Sequence, residues 1–367
     1  MSKEDTFTSF GAYGCTYYPP FTCGGKKTKN KNKYISKISK IDFYSMNEYK
    51  ASKHLKILKN NDLFIIIDKY CFINNDKIKN IKSHNKKCKI YDKKYTSKYV
   101  ILYSKYIKSL TFKEYLLDKE GMCFTKILNY YNFILTTVSI LQLYNLIHND
   151  LHFGNILFNL KKKNFCLIDF GLSIYDLQKK YDDPNFDIKH YLKKIFIKFD
   201  PEWRYQTIEV HLSCYLLYEN DTISDNMLKE IIDIYYSSSK KVFSYLFKDL
   251  HEYKKKIFSH YKKIIHNKNK DSILKMLLLE SMFTWDLYQT SYIIINTVLK
   301  YDDINISSSF RDLLKSSLHY NYKKRPSIDK LKKKFKIISK DIIESDSKIK
   351  DDLFIREDVT SRKILQK

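Results

Sequence analysis

The stretch His148-Asn149-Asp150-Leu151-His152-Phe153-Gly154-Asn155, followed by Ile168-Asp169-Phe170-Gly171, holds the side chains best suited to chemistry. A carboxylate at Asp150 can accept a hydrogen bond from an attacking hydroxyl. Asn155 and Asp169 offer hard oxygen ligands of the kind Mg²⁺ takes. Gly171 lets the backbone turn directly after the second of them. An isolated Asp-Phe-Gly carries little weight. His-x-Asp-x-x-x-x-Asn with Asp-Phe-Gly beginning 14 residues after the Asn carries much more. The chemistry such a set supports is phosphoryl transfer, which needs positioning and charge neutralisation more than covalent bonding to the protein.

The surrounding pattern supplies elements to hold these residues. Tyr34 to Ser39 alternates as a strand should, and Tyr99 to Ile107 does so less cleanly. From Thr125 to Ile147 the apolar residues Ile127, Leu128, Tyr131, Leu135, Val138, Leu141 and Leu146 follow helical spacing. Short strand-like runs, Ile156 to Phe158 and Phe165 to Ile168, flank a turn at Lys161 to Asn164. Beyond about residue 225 the pattern is helical almost throughout. Strands first and helices after predict an α+β chain of two lobes. No internal repeat is visible, and Lys26 to Lys33 and Asn74 to Lys98 read as polar, Lys-rich inserts.

Composition bounds the remaining possibilities. At 367 residues and 44% hydrophobic, the chain can bury a large core. The net charge of +26 comes mostly from Lys, with only five Arg in the chain. Such a field attracts polyanions. The abundance of Lys, Asn, Ile and Tyr with scarce Gly and Pro is better explained by an AT-rich coding sequence. Scarce Arg argues against sequence-specific nucleic-acid reading. Seven cysteines without a Cys-x-x-Cys pair predict reduced thiols in an intracellular setting. The polar N-terminus leads to no signal-peptide core, so secretion is not expected. Phe133 to Ile147 is too short and too polar to span a bilayer, so no membrane segment is expected.

The two motifs together resemble those of the eukaryotic-type protein kinase superfamily, and the resemblance runs over roughly residues 7–340. His152, where most protein kinases place Lys, is similar to the loop of haspin-type kinases and of the Ser/Thr kinases of large DNA viruses (mimivirus- and poxvirus-like). Aminoglycoside and choline phosphotransferases carry a similar loop. The resemblance implies a bilobal fold: a small, mainly β N-lobe (1–104), a larger, mainly α C-lobe (105–340) with a helical insert around 215–280, and a charged tail (341–367). Ser9-Phe10-Gly11-Ala12-Tyr13-Gly14-Cys15-Thr16 resembles a Gly-rich loop with Ser9 for the first glycine and Thr16 for the usual Val. By the same resemblance Lys37, with Lys40 as rival, would bind the α/β-phosphates, and Glu48 would hold it. Glu48 is the only glutamate between Glu4 and Glu114, on a helical stretch from Met46 to Leu58.

Farther on, Leu314 to Ser327 resembles the last protein-kinase subdomain. There Arg325 should pair with Glu209, or with Glu202, and Asp286 should anchor the catalytic loop backbone. These downstream features favour a protein substrate. The Lys- and aromatic-rich stretch Tyr245 to Asn269 could dock a partner or an acidic substrate, though a solvated face is the simpler reading. Asn149 stands where regulated kinases carry Arg, so control by phosphorylation between Asp169 and Glu209 is not expected. Ser173, Tyr175, Tyr181, Tyr191 and Thr207 lie in that segment, and nothing selects one of them.

The resemblance thus implies a Ser/Thr protein kinase using ATP with Mg²⁺, or Mn²⁺ in its place. Asp150 and His152 would be catalytic. Ser9, Gly11, Gly14, Thr16, Lys37, Glu48, Asn155 and Asp169 would bind the nucleotide, with Asn155 and Asp169 on the metal. The rival readings are a small-molecule kinase of the aminoglycoside or choline type and a pseudokinase scaffold. Substrate and oligomeric state are not legible.

Overall fold

A computed structural model describes residues 7–11, 14–28, 33–58, 62–84, 88–90, 98–117, 123–301 and 304–345. Ala12 and Tyr13 of the glycine-bearing turn, parts of both polar inserts, and residues 346–367 of the tail lie outside them. The chain is α+β, and it divides into two compact units. One comprises residues 1–112 with 154–173, and the other residues 113–153 with 174–367. Residues 154–173 therefore group with the sheet rather than with the helices that flank them in sequence.

In the first unit five antiparallel strands form one sheet. They are β1 (Phe7–Phe10), β2 (Cys15–Tyr18), β3 (Tyr34–Lys40), β4 (Ile67–Ile73) and β5 (Tyr99–Lys105), in the order β1-β2-β3-β5-β4. Both faces of the sheet are covered. Cys15, Tyr17, Ile38, Tyr99, Ile101 and Tyr103 pack on one side with Ile78 and Ile81 of helix α2 (Asn75–His84). Val100 and Leu102 point to the other side, where they meet Ile67 of β4 and Tyr49 of helix α1 (Phe43–Leu55). Strand alternation thus gives β5 a buried residue at nearly every position, which blurs its period in the sequence.

Helix α1 begins at a capping box, in which Asp42 accepts from the Ser45 amide at 2.9 Å and the Ser45 hydroxyl accepts from the Asp42 amide at 3.2 Å. That box sets the start three residues before Met46, where the sequence pattern suggested it. The buried side of α1 is largely polar, comprising Ser45, Asn47, Glu48 and Ser52 with Ala51 and Leu55.

A second, three-stranded sheet joins β6 (Ser109–Thr111) to the hairpin Ile156–Asn159/Asn164–Leu167. Its register pairs Ile156 with Leu167, so residues 155 and 168 sit together at the open end.

The expectation of reduced thiols is corrected. Cys15 pairs with Cys88 and Cys23 with Cys71, with Cα–Cα separations of 6.1 and 6.0 Å, while Cys123, Cys166 and Cys214 are free. The partners are far apart in sequence, so no short Cys spacing could announce them. The argument from thiols to an intracellular setting falls with this finding. Among the described residues no helix is long and apolar enough to cross a membrane. The bridges close loops of 73 and 48 residues, each worth about 4 kcal/mol in the chain-entropy account. Dithiothreitol should therefore lower the unfolding midpoint, and the double variant Cys15→Ser/Cys88→Ser should lose part of that sensitivity. A denaturant midpoint that ignores reductant would show that the bridges do not stabilise the fold.

The second unit is helical. Phe124–Leu143 buries 14 of its 20 residues and Trp285–Val298 buries 13 of its 14. The 210–285 stretch is folded, with helices at Ile208–Tyr218, Asp225–Ser238, Lys240–Leu246, Leu250–Ile265 and Lys270–Ser281. Leu250–Ile265 buries Tyr253, Ile257, Tyr261 and Ile265 at four-residue spacing and leaves most of its lysines toward solvent.

Candidate functional site

The residues singled out in the sequence divide between the units. Ser9, Gly11, Gly14, Thr16, Lys37, Glu48, Asn155 and Asp169 belong to the first, and Asp150 and His152 to the second.

In the first unit Ser9, Thr16 and Lys37 stand in one cross-strand row, Ser9 opposite Thr16 and Thr16 opposite Lys37. The turn between β1 and β2 closes with the Gly11 amide on the Gly14 carbonyl at 2.8 Å. Gly14 lies so close to β3 that a Cβ there would meet Ser39 Oγ at 2.5 Å and the Ile38 carbonyl at 2.9 Å. Only glycine fits that approach.

Lys37 Nζ donates to Glu48 Oε2 at 2.8 Å and to Asp169 Oδ2 at 3.2 Å. Lys40 is three positions along β3 and so has opposite strand parity; its carbonyl accepts from the Ser45 hydroxyl. Burial by itself would lower the Lys37 pKa, but Glu48 and Asp169 outweigh it and hold the ammonium above its ordinary value. Burial pushes the Glu48 carboxyl up, to about 7, against the pull of Lys37.

The hairpin explains how residues 14 apart in sequence come together. The Ile168 amide donates to the Asn155 carbonyl at 2.9 Å, which sets Asn155 beside the segment that carries Asp169. Asp169 itself has φ +62°, in the left-handed region that costs a non-glycine residue about 1 kcal/mol or more. Asn47, one residue before Glu48, donates to the carbonyls of Gly171 and Ser173, both at 2.9 Å. Sequence reasoning missed Asn47. Its only available signal was a polar residue next to Glu48 on a helix with few apolar positions.

The donor set fits Mg²⁺. Asn155 and Asp169 supply one amide and one carboxylate oxygen, and Mg²⁺ ordinarily takes one or two such protein ligands and completes its shell with phosphates and water. Among the described residues no group of three or more His, Cys, Asp or Glu side chains could hold a metal ion.

In the second unit the loop around Asp150 is held by its backbone. The Asp286 carboxylate accepts from the His148 amide at 2.9 Å and from the Asn149 amide at 2.8 Å. Burial raises the Asp286 pKa, and the two backbone bonds and His148 oppose it. The Asp150 amide donates to His148 Nδ1 at 3.3 Å, and His152 Nε2 lies 3.7 Å from Asp150 Oδ2. Asn149 has φ +63°, a conformation Asn adopts more readily than Arg.

Farther on, Arg325 Nη2 donates to Glu209 Oε1 at 2.8 Å and to Oε2 at 3.2 Å, whereas Glu202 is exposed. The Tyr261 hydroxyl donates to the same Glu209 oxygen at 2.7 Å. Ser173, Tyr191 and Thr207 are buried.

No protein-family model matches the chain, and no curated protein matches it.

Proposed function

We propose that the chain is an ATP- and Mg²⁺-dependent protein kinase acting on serine or threonine hydroxyls, its two units being the small and large lobes of a protein-kinase-like fold. The observation that carries this reading is the Lys37 ammonium bonded at once to Glu48 and Asp169, the latter 132 positions away in sequence. A lysine for the α/β-phosphates, a helix carboxylate that orients it and a metal-binding aspartate are the parts such catalysis needs in one place. Mg²⁺, when bound, would neutralise the charge that builds on the transferred phosphoryl group.

The chain's own residues have separate tasks in this reading. Lys37 donates to phosphate oxygens, and Glu48 fixes its direction. Asn155 and Asp169 would hold the metal, and by the resemblance the turn that carries Gly11 and Gly14 would cover the phosphates. Asp150 accepts the proton of the attacking hydroxyl, and His152 stands beside it as a second polar group. Protein rather than a small molecule as acceptor is supported by the resemblance at Asp286 and Arg325. Serine or threonine rather than tyrosine rests on the likeness to haspin-type and viral kinases.

Labelled ATP with a basic protein mixture should give labelled protein, and the same incubation with amino sugars or choline should not. Asp150→Ala should lower transfer by about 10²- to 10⁴-fold, the usual worth of a positioned general base. Undiminished transfer by that variant would overturn the assignment.

A further inference from the structure

The loop that carries Asp150 is held by more than Asp286. Gln289, one turn along the helix Trp285–Val298, uses both ends of its amide. Its Oε1 accepts from the Leu151 amide at 3.0 Å, and its Nε2 donates to the Asn149 carbonyl at 3.1 Å. The peptide units on both sides of Asp150 are therefore fixed by one side chain, which is 2% exposed. Gln206 adds a second donor from a different segment, its Nε2 reaching the same Asn149 carbonyl at 3.3 Å. The two glutamines also bond each other, Gln289 Nε2 to Gln206 Oε1 at 3.2 Å. Gln206 is in turn held by its main chain, since the Tyr235 hydroxyl donates to its carbonyl at 2.9 Å. Tyr235 belongs to the helix Asp225–Ser238, within the 210–285 stretch, and its hydroxyl also meets that of Tyr288.

Gln206 lies between Asp169 and Glu209, in the segment that regulated kinases order by phosphorylation. We propose that Gln206 and Gln289 are positioning residues that lock the Asp150 loop to this segment without any phosphate, with Tyr235 of the 210–285 stretch holding Gln206 in place. The inference rests on the kinase reading and deepens it by assigning the site its regulation. Regulated kinases link loop and segment through an arginine and an added phosphate, a contact that forms only after modification. Here the link is made of neutral amides already in contact. Neutral amides need no added charge, so the link is made in the unmodified chain. Through Tyr235 the 210–285 stretch then acts as a brace for the catalytic loop.

The experiment uses the full chain with three variants. Gln206→Met keeps length and removes the donor, at a half-buried position where folding is least at risk. It should lower kcat about tenfold, the worth of one hydrogen bond, with the KM for ATP within twofold. Gln289→Leu should speed amide exchange of Leu151 at least tenfold, measured by mass spectrometry on peptides covering residues 148–152. Tyr235→Phe should lower kcat in the same direction as Gln206→Met. Wild-type kcat should stay within twofold after phosphatase treatment. A Gln206→Met enzyme with wild-type kcat, or a wild type silenced by phosphatase, would overturn the proposal. If the wild type transfers no phosphate at all, the kinase reading fails and the regulatory assignment falls with it. The exchange arm then tells whether the two-glutamine clamp exists, since unchanged Leu151 exchange in Gln289→Leu would refute the clamp as well.

Discussion

Lys37→Met will reduce phosphate transfer from ATP by about 10²- to 10³-fold, the loss seen when one preorganised electrostatic donor is removed from a transition state. Its effect on stability should be far smaller than that of an ordinary broken ion pair. Removing one partner of a buried pair costs about 3–5 kcal/mol because an uncompensated charge remains. Glu48 need not remain charged. Its carboxyl is already pushed up to about 7 with Lys37 beside it. Without Lys37, burial and Asp169 push it further in the same direction, and Glu48 takes a proton near neutral pH. The expected result is an inactive protein that melts close to the wild type. Glu48→Gln should be milder in activity, because Lys37 keeps its bond to Asp169 at 3.2 Å. A radiolabel transfer assay beside a thermal melt checks both halves. Full transfer by Lys37→Met would remove the central support for the kinase reading.

How much of this was legible depended on how local the signal was. The hairpin around residues 156–167 follows from short strand-like runs on either side of a turn and the long helix at Phe124–Leu143 from helical spacing, with ends within a few residues of those expected. The motif residues were legible because their spacing is fixed by that hairpin: two four-residue strands and their turn set the distance between Asn155 and Asp169. Lys37 against Lys40 was not decidable locally. Both lie on one strand, and the choice is made by which face of the sheet α1 covers. Asn47, Gln206 and Gln289 were invisible because each works through backbone carbonyls or amides far away in sequence. No motif records such partners. The cysteine pairs were misread for a related reason, since a framework of two bridges spanning 73 and 48 residues leaves no short spacing to recognise.

Arg325→Leu tests the other buried pair, and its outcome should be the reverse of that at Lys37. Arg325 uses four bonds: Nε to the His319 carbonyl at 2.7 Å, Nη1 to Thr284 Oγ1 at 3.0 Å, and Nη2 to both Glu209 oxygens. Its guanidinium also stacks 4.9 Å from the Tyr288 ring. The side chains of Arg325 and Glu209 are 1% and 0% exposed, so no water can replace a lost partner. Burial by itself would lower the Arg325 pKa, yet Glu209 and the surrounding tyrosines raise it, so the guanidinium stays charged. Removing it strands the Glu209 carboxylate with the Tyr261 hydroxyl as its remaining side-chain donor, along with an unpaired carbonyl at His319. The cost should be about 3–5 kcal/mol, a large share of the roughly 5–15 kcal/mol that stabilises an ordinary protein. The melting point should fall by roughly 6–20 °C. The double variant Glu209→Leu/Arg325→Leu should recover part of this loss, because a buried pair replaced by apolar side chains is often nearly neutral. A single variant that melts within 2 °C of the wild type would show that the pair carries none of this stability. Activity should fall with stability here, unlike at Lys37. Glu209 opens the helix that follows Gln206, and a loosened helix start releases the segment that braces the Asp150 loop.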